Sequence, residues 1–141
     1  MGAEPWDYFV PYEEDVQAAL EKLRQREFQA GRYRNYSETK PATISEAVEN
    51  ADASGMASIL DMERVAQEAG YSTIVPLSDA ELIRCFGTTE PTRQMIEDNL
   101  ADAADEDDDL YENVGRGQGI YVISYKNNQP SEIFFGGYSY D

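Results

Sequence analysis

The sequence predicts an α+β fold, in which one domain spanning residues 1–141 contains a small antiparallel sheet packed against several helices. Three observations predict this class. A hairpin pattern lies near the C-terminus, an aromatic segment that can pair with it lies near the N-terminus, and segments with helical periodicity and capping residues lie between them. A chain of 141 residues is of the usual size for a single domain.

The C-terminal hairpin is predicted from two runs rich in β-branched and aromatic residues, at 119–126 and 132–138. The polar connection between them, 127–130, begins with two asparagines, which tolerate positive φ, and ends with Pro130. Because proline cannot donate to a ladder, we expect Pro130 at the margin of the turn. Both faces of these strands are apolar, which predicts helices over at least part of the sheet.

An N-terminal strand at 6–10 is predicted from its aromatic composition, which matches that of the hairpin. Pairing or packing of this segment with the hairpin would bring the two ends of the chain into one core.

The helices are predicted from apolar residues at helical spacing and from their capping residues. The first spans 13–30 and ends at Gly31, and shorter helices begin near Thr43, Ser78 and Thr88 or Thr89. The pattern at 58–66 fits a strand or a helix, and 71–77 resembles a short strand.

Charge is the most unusual global property, since 28 acids and 11 bases give a formal net charge of −17. Such a field repels nucleic acids and anionic membrane surfaces, and it attracts basic partners. Residues 97–112 contain nine of the acids and no base, which predicts a solvated acidic connector ahead of the hairpin.

The acidic connector is the predicted partner-binding site. An EF-hand loop counted from Asp105 has Leu110 and Arg116 where glycine and glutamate are required, so we expect no metal. A basic protein is the expected partner, because charge complementarity accelerates encounter. The candidate residues are Asp105, Glu106, Asp107, Asp108, Asp109 and Glu112.

A small-molecule binding module is the alternative. The glycines around Arg116 precede a strand rather than a helix, so they do not form a dinucleotide or Walker loop, and no cofactor is expected. Aromatic rings with a cationic anion partner would suit a ligand groove. The candidate residues are Trp6, Tyr8, Arg116, Tyr121 and Tyr125.

The sequence contains few residue combinations suited to catalysis, so no catalytic residue is predicted. The chain has no histidine, and Cys85 follows the apolar pattern of a helix, which predicts a buried structural thiol. A second alternative is a histidine-free enzyme that uses tyrosines and carboxylate pairs such as Asp61 with Glu63 or Asp7 with Glu132.

A cytoplasmic location is expected. No apolar run approaches the length of a membrane span, and the first residues lack the basic and apolar regions of a signal peptide. A lone cysteine also agrees with a reducing compartment.

Three stretches resemble a group of small bacterial proteins whose activity is not established. They are WDYFVPYEEDVQAALEKLRQREF at 6–28, SILD at 58–61 and GQGIYVISYKNNQPSEIFFGGYS at 117–139. The resemblance implies a bacterial, cytosolic, single-domain protein, and it implies no catalytic or binding residues. The sequence therefore favours a non-enzymatic acidic interaction protein, of the immunity or inhibitor kind, that binds a basic partner.

Overall fold

The fold was analysed in a computed structural model, which describes residues 4–51, 55–101 and 109–140. These residues form four α-helices and a five-stranded sheet. The strands are β1 (Pro5–Pro11), β2 (Arg64–Val65), β3 (Thr73–Pro76), β4 (Gln118–Lys126) and β5 (Gln129–Tyr138). The helices are α1 (Val16–Ala30), α2 (Ile44–Ala51), α3 (Asp79–Phe86) and α4 (Arg93–Ala101).

The α+β class is confirmed, but the sheet is mixed rather than purely antiparallel. Its strand order is β1-β5-β4-β3-β2. The pairs β1–β5 and β5–β4 are antiparallel, whereas β3 pairs parallel with both β4 and β2. The physical reason lies between β3 and β4, because a connection that contains α3 and α4 returns the chain to the end of the sheet from which β3 started.

The predicted pairing of the N-terminal strand with the hairpin is confirmed. Every residue of β1 pairs with β5, from Pro5 opposite Tyr138 to Pro11 opposite Glu132. The close approach of these strands requires glycine, since a Cβ on Gly137 would lie 2.7 Å from the Cα of Gly119 and 2.8 Å from the Trp6 ring.

The hairpin turn is shorter than predicted. Asn127 and Asn128 form it with φ values of 53° and 63°, the left-handed conformation that a two-residue hairpin loop requires. Pro130 lies within β5, opposite Tyr125, next to a register shift between Ser124 and Tyr125. The shift accommodates a residue without an N–H in the strand.

The helix ends follow the local capping chemistry. Asp15 accepts a hydrogen bond from the Ala18 N–H and begins α1, and Gly31 ends it with a φ of 72°. The ambiguous stretch at 58–66 forms a 3-10 turn, Ile59–Asp61, followed by β2.

Helices cover both faces of the sheet. On one face α1 and the 3-10 turn pack against β1 and β5, in a cluster that includes Leu20, Ile59 and Phe135. On the other face α3 and α4 pack against β4 and β5, in a cluster that includes Ile96, Val122 and Phe134. The two clusters lie on opposite faces of the same sheet.

Candidate interaction surface

The surface formed by α3, α4 and residues 109–112, called here the acidic face, is continuous. The Asn99 side chain connects its parts: Nδ2 donates to the Cys85 carbonyl of α3 over 3.5 Å, and Oδ1 accepts from the Leu110 N–H over 3.1 Å. The Cys85 side chain, predicted to be buried, is half-buried beside the cluster on this side of the sheet.

Capping residues fix both helices of the acidic face. Ser78 and Glu81 form a reciprocal capping box at the start of α3, as predicted, and Gly87 ends the helix with a φ of 73°. The cap of α4 is Thr92 rather than Thr88 or Thr89, since Thr92 Oγ1 accepts from the Met95 N–H over 3.2 Å.

The inner side of the acidic face is apolar and well packed. Ile96 and Leu110 are 0% and 1% exposed, and Leu82, Phe86 and Leu100 pack against the same cluster. Since the apolar side chains fill the interior, the charged residues of both helices lie toward solvent.

Negative charge is concentrated in this part of the chain. Residues 77–112 contain twelve acids and two bases, so a segment of about a quarter of the chain carries a formal charge of −10 out of −17. Both bases bind carboxylates of the same molecule: Arg84 contacts Glu112 at 2.8 Å, and Arg93 contacts Glu132 at 2.9 Å and Glu97 at 3.4 Å. The Arg93 guanidinium also lies 4.2 Å from the centre of the Phe9 ring.

Two large apolar side chains project from the acidic face. Ile83 of α3 is 55% exposed and Met95 of α4 is 42% exposed. Each sits one position away from the buried stripe of its helix, which contains Leu82 and Ile96. Neither residue is among the binding residues predicted from the sequence, although their displacement from the stripe is visible in the helical spacing.

The predicted partner-binding residues belong to this region, and the structure describes two of the six. Asp105, Glu106, Asp107 and Asp108 lie outside the described residues. Asp109 Oδ1 accepts from the Tyr111 N–H over 2.9 Å, and Glu112 forms the ion pair with Arg84. Within the predicted connector, 97–101 belong to α4, and Leu110 and Tyr111 are buried.

The predicted ligand-binding residues are not gathered in one place. Trp6, Tyr8 and Tyr121 lie in or against the cluster beneath α1, where Tyr8 Oη accepts a hydrogen bond from the Ile59 N–H over 3.3 Å. Arg116 precedes β4 and Tyr125 lies near its far end. From Gln118 to Tyr125 the extended strand β4 covers about 23 Å, so these two positions lie near opposite ends of the strand.

The carboxylate pairs considered for catalysis are also separated or unequal in exposure. Asp7 pairs with Gly136 and Glu132 with Pro11, so they stand four positions apart along the ladder, about 13 Å. Asp61 is buried, whereas Glu63 is exposed.

Asp61 instead holds together the loop that follows α2. Its carboxylate accepts from the Met56 N–H at 2.8 Å and from the Ser139 hydroxyl at 3.0 Å, and Ser139 Oγ in turn accepts from the Ala57 N–H. Burial raises the pKa of Asp61, although these hydrogen bonds oppose the shift. Both oxygens of the Asp61 carboxylate accept hydrogen bonds from protein donors, so these structural contacts account for its burial.

Among residues 4–51, 55–101 and 109–140, no group of three or more cysteine, aspartate and glutamate side chains is placed to hold a metal ion. In the same ranges no helix has the length and hydrophobicity needed to cross a bilayer.

Compared with known proteins, the chain matches no protein-family model, no curated protein and no solved structure.

Proposed function

We propose that this protein is a non-enzymatic interaction protein whose acidic face binds a basic protein and restrains it, in the manner of an immunity or inhibitor protein. The observation that carries the proposal is the charge of residues 77–112, twelve acids with two bases, and both bases are bound to glutamates of the same molecule. A segment with this excess attracts a cationic partner and repels nucleic acids.

The exposed apolar side chains support a protein partner over a small cation. Protein interfaces take most of their binding energy from a few side chains that become fully desolvated, while charge around them sets the encounter rate and the orientation. Ile83 and Met95 are large and exposed, and the helices that carry them, α3 and α4, also carry four acids, which suits these two side chains to this role. A free metal ion would make no use of them.

The proposed setting is the bacterial cytoplasm. The lone Cys85 supports a reducing compartment, and the resemblance at 6–28 and 117–139 implies a bacterial source. Binding of a small molecule is supported less well, because Trp6 is 5% exposed and Arg116 and Tyr125 are far apart.

The test is affinity capture from the native lysate at about 0.05 M and about 0.5 M salt, followed by mass spectrometry. The key variant replaces Asp105, Asp107 and Asp108 with asparagine, which removes three charges at nearly constant side-chain shape. The matched control replaces Glu38, Glu49 and Glu68 with glutamine, because these exposed acids lie outside the segment 77–112.

We expect a basic protein to be captured at low salt, to fall in yield at high salt, and to be lost from the asparagine variant but retained by the control. Capture that is insensitive to salt and equal in both variants would contradict the proposal. Purified partner then allows Ile83→Asp and Met95→Asp to be compared for their effect on dissociation rate.

A further inference from the structure

The backbone of β1 presents hydrogen-bonding groups at an edge of the sheet. Within the described residues, β1 pairs with β5 and with no other strand. The Tyr12 N–H donates to the Ser131 carbonyl over 3.1 Å and the Ser139 N–H donates to the Glu4 carbonyl over 2.9 Å, both in the register of the β1–β5 ladder. Because bonded and non-bonded pairs alternate in an antiparallel ladder, the even-numbered residues of β1 bond to β5. The odd-numbered residues direct their N–H and C=O groups away from it.

Two prolines limit this edge to a short, defined length. Pro5 and Pro11 have no N–H, so the free donors of β1 are the amides of Asp7 and Phe9. Neither amide has a hydrogen-bond partner within the described chain. The edge therefore offers two donors, with carbonyls on either side, to one short extended segment.

A groove lies where a side chain of an added strand would point. Directly opposed residues project to the same face of a sheet, so a residue opposite Val10 would project toward α1. A cavity of about 370 Å³ is present there, between β1 and α1. Val10, Ala19 and Leu23 are among its lining residues and are at most 6% exposed, so its floor is apolar.

The rim of the groove carries one excess positive charge. Lys22 and Arg26 line it together with the carboxylate of Glu13. Arg26 also bonds to Glu27, a carboxylate that it shares with Arg32, so three bases face two acids in this cluster. The ion pair of Lys22 with Glu13 is formed by a lysine whose side chain is 72% exposed, and such pairs are weak and readily exchanged. A carboxylate entering this groove would meet two cations within a protein that is otherwise strongly negative.

We propose that β1 binds an extended segment of another protein by strand addition, with an aliphatic side chain in the groove beside Val10 and an acidic side chain next to Lys22 and Arg26. This surface is separate from the acidic face, and the inference goes beyond the proposed function. A second copy of the chain is a poorer occupant, because two molecules of net charge −17 repel each other.

The experiment uses the full chain and blocked synthetic peptides of about eight residues that alternate threonine with valine and contain one glutamate. Amide chemical shifts and hydrogen exchange are followed by NMR during titration. We expect the Asp7 and Phe9 amides to shift and to gain protection from exchange. Lys22→Glu should weaken binding about tenfold or more, whereas Lys40→Glu, an equal change of charge on an exposed lysine, should not.

N-methylation of the peptide supplies the decisive control. Methylating every second residue removes the donors that face β1 and should abolish binding, while methylating the intervening residues should not. Titration to millimolar peptide without shifts at Asp7 and Phe9 would overturn the proposal. Equal binding of the two N-methylated peptides would also overturn it. A third contrary result would be concentration-dependent dimerisation of the protein through β1 in the absence of peptide.

Discussion

Ser139 donates its hydroxyl hydrogen to Asp61 Oδ2 across 3.0 Å, and this bond joins the end of β5 to the loop that follows α2. The same carboxylate receives the Met56 N–H, so one buried acid organises two segments that are distant in sequence. Its protonation is therefore expected to affect the stability of the whole molecule.

Asp61→Asn should change how stability depends on pH. Because burial raises the pKa of Asp61, the folded protein holds this proton more tightly than the unfolded chain does. This tighter proton binding stabilises the folded protein fully below the ordinary aspartate pKa of about 3.9. The stabilisation is lost as the pH rises through the pKa of Asp61 in the folded protein. We expect wild type to gain unfolding free energy relative to Asp61→Asn as pH falls, measured by urea unfolding from about pH 7 to about pH 4. A difference in unfolding free energy between the two proteins that does not change with pH would contradict this prediction.

Glu27→Gln should change the pH dependence of stability in the direction opposite to that of Asp61→Asn. The Glu27 side chain is 4% exposed and accepts hydrogen bonds from Arg32 and Arg26, which lower its pKa. Its stabilisation is present above the ordinary glutamate pKa and is lost as pH falls through the lowered value. Since both arginines are about half exposed, we expect a loss of about 1–2 kcal/mol at neutral pH.

The control for Glu27 is Glu21→Gln, an exposed glutamate of the same helix. Urea unfolding at neutral pH should leave this variant within about 0.5 kcal/mol of wild type. An equal loss in both variants would mean that helix charge, not the buried ion pair, is responsible.

Gly137→Ala should destabilise the sheet where β1, β5 and β4 meet. The new methyl group would press on the backbone of Gln118 and Gly119 and on the Trp6 ring, and backbone cannot move aside as a flexible side chain can. We expect a loss of about 1–3 kcal/mol or more in thermal or urea unfolding. Gly115→Ala is the comparison, because its methyl group would meet only the flexible side chain of Gln118, 3.2 Å away.

Asn128→Gly should stabilise the hairpin. Asn128 has a φ of 63°, in the left-handed region where a side chain is unfavourable and glycine is not. The expected gain is a few tenths to about 1 kcal/mol. Gln129→Gly, one residue later and within β5, should lower stability, since glycine weakens a strand. Stabilisation by both changes would point to an effect on the unfolded chain.

Local chemistry explains the parts of the fold that the sequence predicts correctly. Gly31 ends α1, the Ser78 and Glu81 box begins α3, and the aromatic segment at 6–10 lies in β1 because its pattern matches that of β5. Each of these features depends on neighbouring residues or on a long alternating pattern, which a single sequence displays.

The parallel half of the sheet could not be predicted in the same way. β2 has two residues and β3 four, and nothing within such short segments specifies their partners or direction. Val75 of β3 packs in the cluster with α3 and α4, and Val65 of β2 packs in the cluster with α1, so the places of these strands depend on contacts with distant parts of the chain.

The amino-acid composition predicts only part of the candidate surface. The acids of 97–112 are visible in the sequence, but the ion pairs that hold Arg84 and Arg93 join residues 28 and 39 positions apart. Ile83 and Met95 were missed because apolar residues on amphipathic helices are ordinarily assigned to the core.

The β1–β5 ladder joins the earliest strand of the chain to the latest, with Glu4 bonded to Ser139. During synthesis on the ribosome, β1 must therefore wait without its partner until β5 has emerged. Trp6 and Val10, which are buried in the folded molecule, lack the cover of Ile133 and Phe135 throughout that interval and are more accessible to chaperones.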